Sequence, residues 1–196
     1  MLDPKNLGGP GDGQPTALQI VQDNKLEGKL GDKVILVTGT SSGIGIETVR
    51  ALKATGAKIY ATTRNLDKGR TALGDILEPG QVELLVLDTN SIDSVRQCAQ
   101  DFLSRKSQLN ILINNAGIVA TPGLTLSPDG FETQFATNHL GHFLLFQLLK
   151  PMLLASSTYQ ASATFAALSS LTTSTWPSPA RTSHTTPTAN RKQPTS

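Results

Sequence analysis

The 196 residues predict an α/β fold, a parallel sheet covered by helices on both faces. Three observations predict it. Short apolar runs alternate with longer helical patterns between Lys33 and about Ala155. That alternation is the mark of right-handed βαβ units. A glycine-rich turn, Thr38-Gly39-Thr40-Ser41-Ser42-Gly43-Ile44-Gly45, joins the first apolar run to the first helical pattern. The length suits one domain with room for a sizeable core.

The elements follow in order. Met1 to about Asp32 is rich in Gly, Pro and Asp and reads as a flexible arm, with Gln19-Ile20-Val21 and Leu26 able to dock. Strands are expected at Val34–Val37, Lys58–Ala61, Val82–Leu87 and Ile111–Ile113. Helices are expected between them at Ile46–Thr55, Leu66–Leu77 and Ile92–Ser104. Ser127-Pro128-Asp129-Gly130 reads as the start of another helix, with Ser127 as N-cap and Pro128 in the first turn. Its expected apolar stripe is Phe131, Phe135, Leu140, Phe143, Leu144 and Leu148. It would run to Leu149 or Leu154, with Pro151 bending or ending it. Ala163–Leu168 is a weak, Ala-rich candidate for a fifth strand.

The chain then changes character. From Ser156 to Ser196, 19 of 41 residues are Ser or Thr, four are Pro and none is acidic. So few apolar side chains cannot offset the entropy of ordering, and disorder is expected from about Leu171. The expected organisation is an arm over 1–32, a domain over 33–170 and a tail over 171–196.

Bulk properties exclude several classes. A net charge of +2 gives no electrostatic case for nucleic acid or a membrane surface. Cys98 is the one cysteine, so no internal disulfide forms, which fits a reducing, cytoplasmic compartment. It reads as a buried helix residue. No apolar h-region opens the chain and no apolar run is long enough for a transmembrane span.

The glycine turn carries the chemistry. Unpaired N–H groups at a helix start hold partial positive charge and attract a pyrophosphate. Glycine lets backbone approach the ligand and lets helix pack on strand. Gly39, Ser41, Ser42, Gly43, Ile44 and Gly45 are therefore candidate pyrophosphate contacts; a tight turn with no ligand is the alternative. Arg64 follows the second strand, and no acid lies between Ile59 and Asn65. A basic residue there accommodates the 2′-phosphate of NADP, where an acid would hold the 2′-hydroxyl of NAD. Thr62 and Thr63 can donate beside it. Asp88 lies just after the third strand, at the sheet edge where α/β ligands bind. It reads as an adenine acceptor or as a helix cap.

In Asn114-Asn115-Ala116-Gly117, glycine lets a ribose lie against the backbone and asparagine amides can stitch strands together. Asn138 sits inside the long helix, where an amide competes for backbone bonds. His139 and His142 lack a third ligand and read as packing or surface residues.

Four segments agree in order and spacing: Thr38–Gly45, Asp88, Asn114–Gly117 and Thr137-Asn138-His139-Leu140-Gly141-His142. Together they resemble the short-chain dehydrogenase/reductase family. The run from Gly130 to Phe143 looks most like its retinol-dehydrogenase and WW-domain-oxidoreductase branch. The resemblance covers about Lys33 to Lys150. It implies a Rossmann-type doubly wound sheet of order 3-2-1-4-5, here truncated after about the fifth strand. It implies an NADP-dependent oxidoreductase acting on a small-molecule alcohol or carbonyl, with NAD the less favoured cofactor. It also implies ribose contacts at Asn115 and Gly117. Asn138 would kink its helix and hold a water in a proton relay. Ser170, in Leu168-Ser169-Ser170, would bond the substrate oxygen. An oligomer is compatible with it, and no metal is implied.

The chain departs from the family at the acid. The family uses a Tyr and a Lys four residues later, and the 196 residues contain no Tyr-x-x-x-Lys. Read one frame over, codons for Thr185 to Asn190 permit Tyr-Ala-Asn-Ser-Lys, which suggests a shifted frame in the tail. The sequence thus supports an impaired oxidoreductase, a nucleotide-binding module without turnover, or a non-functional fragment.

Overall fold

The structure is a computed structural model that describes residues 15–105, 108–119 and 123–156, with the backbone of 160–163. A parallel sheet forms its centre. Its strands are β1 (Val34–Val37), β2 (Lys58–Thr63), β3 (Val82–Val86) and β4 (Ile111–Asn114), with a short β5 (Gln160–Ala163). Their order is 3-2-1-4-5, as the resemblance implies. β5 pairs with β4 from Ile111↔Gln160 to Asn114↔Ala163. It starts three residues before the expected strand Ala163–Leu168, the remainder of which lies outside the described residues, as does the tail.

The strands are apolar on both faces because both are covered. Helix α2 (Ile44–Ala54) and helix α3 (Leu66–Leu73) lie on one side. There Ile35, Val37, Ile59, Ala61 and Val82 pack with Val49 and Leu73. Helix α4 (Ile92–Arg105) and helix α6 (Gly141–Ala155) lie on the other. There Leu36, Tyr60, Leu85 and Leu112 meet Val95, Phe102, Leu145 and Leu149. Each such side chain removed from water stabilises the fold by about 1.5–3 kcal/mol.

Within the expected arm, α1 (Ala17–Asp23) forms a helix capped by Thr16, whose hydroxyl accepts from the Gln19 N–H. It buries Val21, and the chain after it bonds to the end of α2 through Gly28 N–H to Ala54 O and Leu30 N–H to Thr55 O. Residues 17–30 are therefore docked, through Val21 and the backbone; Ile20 and Leu26 stay exposed.

Two helix expectations need correction. Ser127 does not cap a helix. Its Oγ accepts from the Asp129 and Phe131 N–H groups within a turn. Gly130, at φ +82°, carries the chain out of helical conformation. The helical run starts at α5 (Thr133–Phe135), capped by Glu132, whose carboxylate accepts from the Gln134 and Phe135 N–H groups. A π-turn over Ala136–Leu140 then leads into α6. Helix α6 continues through Pro151 to Ala155. Its buried stripe is His142, Leu145, Leu149 and Leu153, whereas Phe131, Phe135 and Phe143 of the expected stripe are exposed. Among the described residues no helix is long and apolar enough to cross a membrane.

Candidate functional site

At the carboxyl edge of the sheet lies a cleft of about 360 Å³. Its floor is the β1–α2 turn. Gly39, Ser41, Ser42, Gly43, Ile44 and Gly45 all line it. This turn tolerates no side chain at two points. A Cβ on Gly45 would overlap the Gly39 carbonyl oxygen, and one on Gly39 would lie 2.7 Å from the Ala116 Cα. Glycine is required for packing there. Helix α2 begins at Gly43 with no side-chain cap. The Ile46 N–H bonds to the Gly43 carbonyl, while Gly43, Ile44 and Gly45 line the cleft where the helix starts without a side-chain cap, an arrangement that fits an anion.

Arg64 lines the same cleft from the end of β2. No hydrogen bond or ion pair engages its guanidinium among the described residues. Among the described residues none that lines the cleft is acidic. The cleft thus offers an uncapped helix start and one unpaired cation. Both suit phosphate.

The far wall is the end of β4, where Asn115 and Gly117 line the cleft. Thr38 holds this wall. Its Oγ1 accepts from the Asn115 and Ala116 N–H groups, each at 2.9 Å. The Asn115 amide returns two bonds, to Thr38 O at 2.9 Å and Gly39 O at 3.1 Å. Asn115 therefore joins strand ends with its side chain.

Asp88 is not among the cleft-lining residues, though its neighbours Leu87 and Thr89 are. Its Oδ1 accepts from the Asn90 N–H at 3.0 Å, and its own N–H donates to Ser94 Oγ. The cap of α4 is Ser91, whose Oγ accepts from Ser94 N–H. Asp129 helps, taking the Ile92 N–H.

Asn138 lies in the π-turn behind the wall. Its Oδ1 accepts from Ile118 N–H and its Nδ2 donates to Ile118 O, both at 2.9 Å. The amide is committed to holding the loop after β4 and brings no free group to the cleft. Its carbonyl meets His142 Nδ1 at 3.1 Å, and His142 Nε2 lies 2.9 Å from Thr38 Oγ1. Burial holds His142 below the ordinary imidazole value of 6.5. His139 is exposed and stacks between Phe135 and Phe143. Ser170 lies outside the described residues.

Cys98 is buried in α4, and burial, then the Asp101 charge, pushes its thiol up to about 12. It is no nucleophile. No cluster of metal-ligating side chains occurs among the described residues.

Sequence reasoning missed Leu87, Thr89, Ile118 and Thr137 as lining residues. The signal for the first three was present. Each follows or ends a strand, at the edge where ligands bind in parallel sheets. Thr137 had none, because its orientation depends on the π-turn.

A family model described as short chain dehydrogenase matches residues 33–175. The short-chain dehydrogenase/reductase prx1 of Penicillium roqueforti is 59% identical over 150 residues, which cover 76% of this chain and 44% of that protein. Retinol dehydrogenase 12 of Bos taurus is 45% identical over 120 residues, covering 60% and 38%. The WW domain-containing oxidoreductase of Gallus gallus is 42% identical over 149 residues, covering 74% and 35%. The chain spans less than half the length of these curated relatives. Among solved structures, a metagenomic short-chain oxidoreductase in complex with NADP matches with a TM-score of 0.59 and 28% identity, over 68% of this chain and 62% of that one.

Proposed function

The chain belongs to the short-chain dehydrogenase family, and on that premise we propose that it binds NADP(H) in the cleft at the end of its sheet. When bound, the nicotinamide supplies or takes a hydride in reactions of alcohols and carbonyls. The glycine turn and the start of α2 would hold the pyrophosphate, the backbone of Asn115 and Gly117 the ribose, and Arg64 the 2′-phosphate. Asp88 would meet the adenine by turning one carboxylate oxygen outward while the other keeps the Asn90 N–H. Residues 33–170 would form the dinucleotide-binding domain, and the single buried cysteine suits the cytoplasm.

The observation that carries the NADP choice is Arg64, a cation without a partner among the described residues, in a cleft whose described lining holds no acid. Supporting it is the NADP complex of the solved relative. The measurement is calorimetric titration with NADP and with NAD. NADP is expected to bind at least tenfold tighter, and Arg64→Ala to remove that preference. Equal affinity for both dinucleotides would overturn the choice, and no affinity for either would overturn the site.

We further propose that the 196-residue polypeptide binds the cofactor with little turnover. Tyr60 is followed four residues later by Arg64, and Tyr159 by Ala163, so no Tyr-x-x-x-Lys pair supplies the acid. General acid–base catalysis contributes about 10²- to 10⁴-fold. Ser170 would be what remains of the catalytic group, with Asn138 positioning the loop after β4 through its amide. Consumption of NADPH with a panel of ketones and aldehydes tests it. Rapid oxidation with any of them would refute this half while leaving the binding site intact.

A further inference from the structure

We propose that His142, in its neutral Nδ1–H form, positions the far wall of the dinucleotide cleft by receiving the Thr38 hydroxyl, so that protonating the ring weakens nucleotide binding. The inference rests on the reading of the cleft as a dinucleotide site.

Counting donors and acceptors fixes the tautomer. The Asn138 carbonyl can only accept, so the Nδ1 beside it carries the proton. Nε2 of a neutral ring is then bare and takes the Thr38 hydroxyl proton. The two lone pairs of that hydroxyl are filled by the Asn115 and Ala116 N–H groups. Thr38 Oγ1 therefore gives one hydrogen bond and receives two, which is all it can do. The alternative acceptor for its proton, Ile113 O, stands at 3.5 Å. Ring, hydroxyl and strand-end amides form one saturated chain from the π-turn to the cleft wall.

A second proton on the ring breaks that chain. It places an N–H against an oxygen with no lone pair left. Either the hydroxyl swings to the more distant Ile113 carbonyl, or one of the wall amides is released. Among the described residues no negative charge compensates for the second proton. β1 presents Thr38, and the end of β4 presents Asn115 and Ala116. Helix α4 packs on α6 through an apolar cluster containing Val95, Cys98, Ala99 and Tyr60, and its titratable members, the Cys98 thiol and the Tyr60 phenol, are both pushed up by burial and stay neutral. At the end of β3 the Asp88 carboxylate accepts from Asn90 N–H. On the ring's own helical run, His139 opposes a second positive charge. The ring is also buried, at 6% exposure.

The test has two arms on the full 196-residue chain. Long-range proton–nitrogen correlation on the nitrogen-labelled protein without nucleotide reads the ring directly. A neutral Nδ1–H tautomer that titrates below 6.5 is expected. An Nε2–H tautomer, or titration at or above 6.5, would overturn the proposal. The second arm measures NADP affinity by calorimetry at about pH 8 and about pH 5.5, for the wild type and for His142→Gln, which accepts from Thr38 but cannot be protonated. The acid weakening is expected to be roughly 3- to 10-fold greater in the wild type than in the variant, a tenfold difference corresponding to one pKa unit. Titration of the 2′-phosphate itself affects both proteins alike and cancels in that ratio. Identical acid weakening in both would overturn the proposal. Absence of NADP binding by the wild type at pH 8 sinks the cleft reading instead, and the spectroscopic arm still decides the ring. Should His142→Gln fail to fold, Thr38→Ser, which keeps the hydroxyl, is expected to retain the acid weakening and Thr38→Val to lose it. The reverse result would also overturn the proposal.

Discussion

Helices α2 and α6 cover opposite faces of one sheet, yet they mark their buried sides in different ways. On α2, Val49 faces the sheet with Ile46 and Leu52 packed beside it, while Glu47 and Arg50 pair on the outside. Polar residues there announce which side is wet. On α6, Leu145, Leu149 and Leu153 are fully buried, but Phe143 and Leu154 on the outer side are more than half exposed. A helix apolar nearly all round does not disclose its inner face. Hydrophobic periodicity informs only where a polar face opposes the apolar one.

Substitutions can break that contrast. The largest effect is expected for Leu149→Ala, a cavity in the packed cluster costing about 2–5 kcal/mol. Phe143→Ala on the same helix should stay within about 0.5 kcal/mol. Urea unfolding of both decides it, and equal costs would mean that α6 has no distinct inner face. Next is Gly45→Ala on α2, where the added methyl meets the Gly39 carbonyl. A loss of about 1–3 kcal/mol is expected, together with loss of NADP binding in a titration. Pro151→Ala sharpens the picture of α6. It supplies an N–H inside a continuous helix and should raise stability by about 1 kcal/mol. An unchanged thermal midpoint would argue against that gain.

The smallest effect concerns pH. His142 is held below 6.5 in the folded chain, first by burial. The unfolded chain therefore takes up this proton first. The stability it supports is present above 6.5 and is lost as pH falls through the lower folded value. Unfolding measured across that window should show a slope in the wild type and a shallower one in His142→Gln.

How much was legible in the sequence follows the same division. Strands β1 to β4 stand within two residues of their expected ends, because runs buried on both faces need no periodic cue. The glycine turn was legible because its geometry is local: one strand, one turn, one helix start. The choice among Phe143, Leu144 and Leu145 was not, since all three are apolar and tertiary packing selects between them. Glu132 as helix cap was hidden by the better-looking Ser127, and Gly130 decided against it. Asp88 was read correctly as lying at the sheet edge but not as the Asx turn that occupies one of its oxygens. Asn138 was marked as unusual by its type. That its amide reaches Ile118, twenty residues earlier, could not be seen without the fold.

The π-turn over Ala136–Leu140 carries a consequence of its own. A π-turn holds one residue more than the α-helical turn it replaces. Removing a single codon within it would let the run wind as continuous α-helix. Everything before the deletion would then rotate by about 100° against α6, one residue's share of a helical turn. The helix would keep its leucines on the sheet, while the Asn138 amide would swing off the loop that it now pins. Phase, more than composition, ties this helix to the cleft.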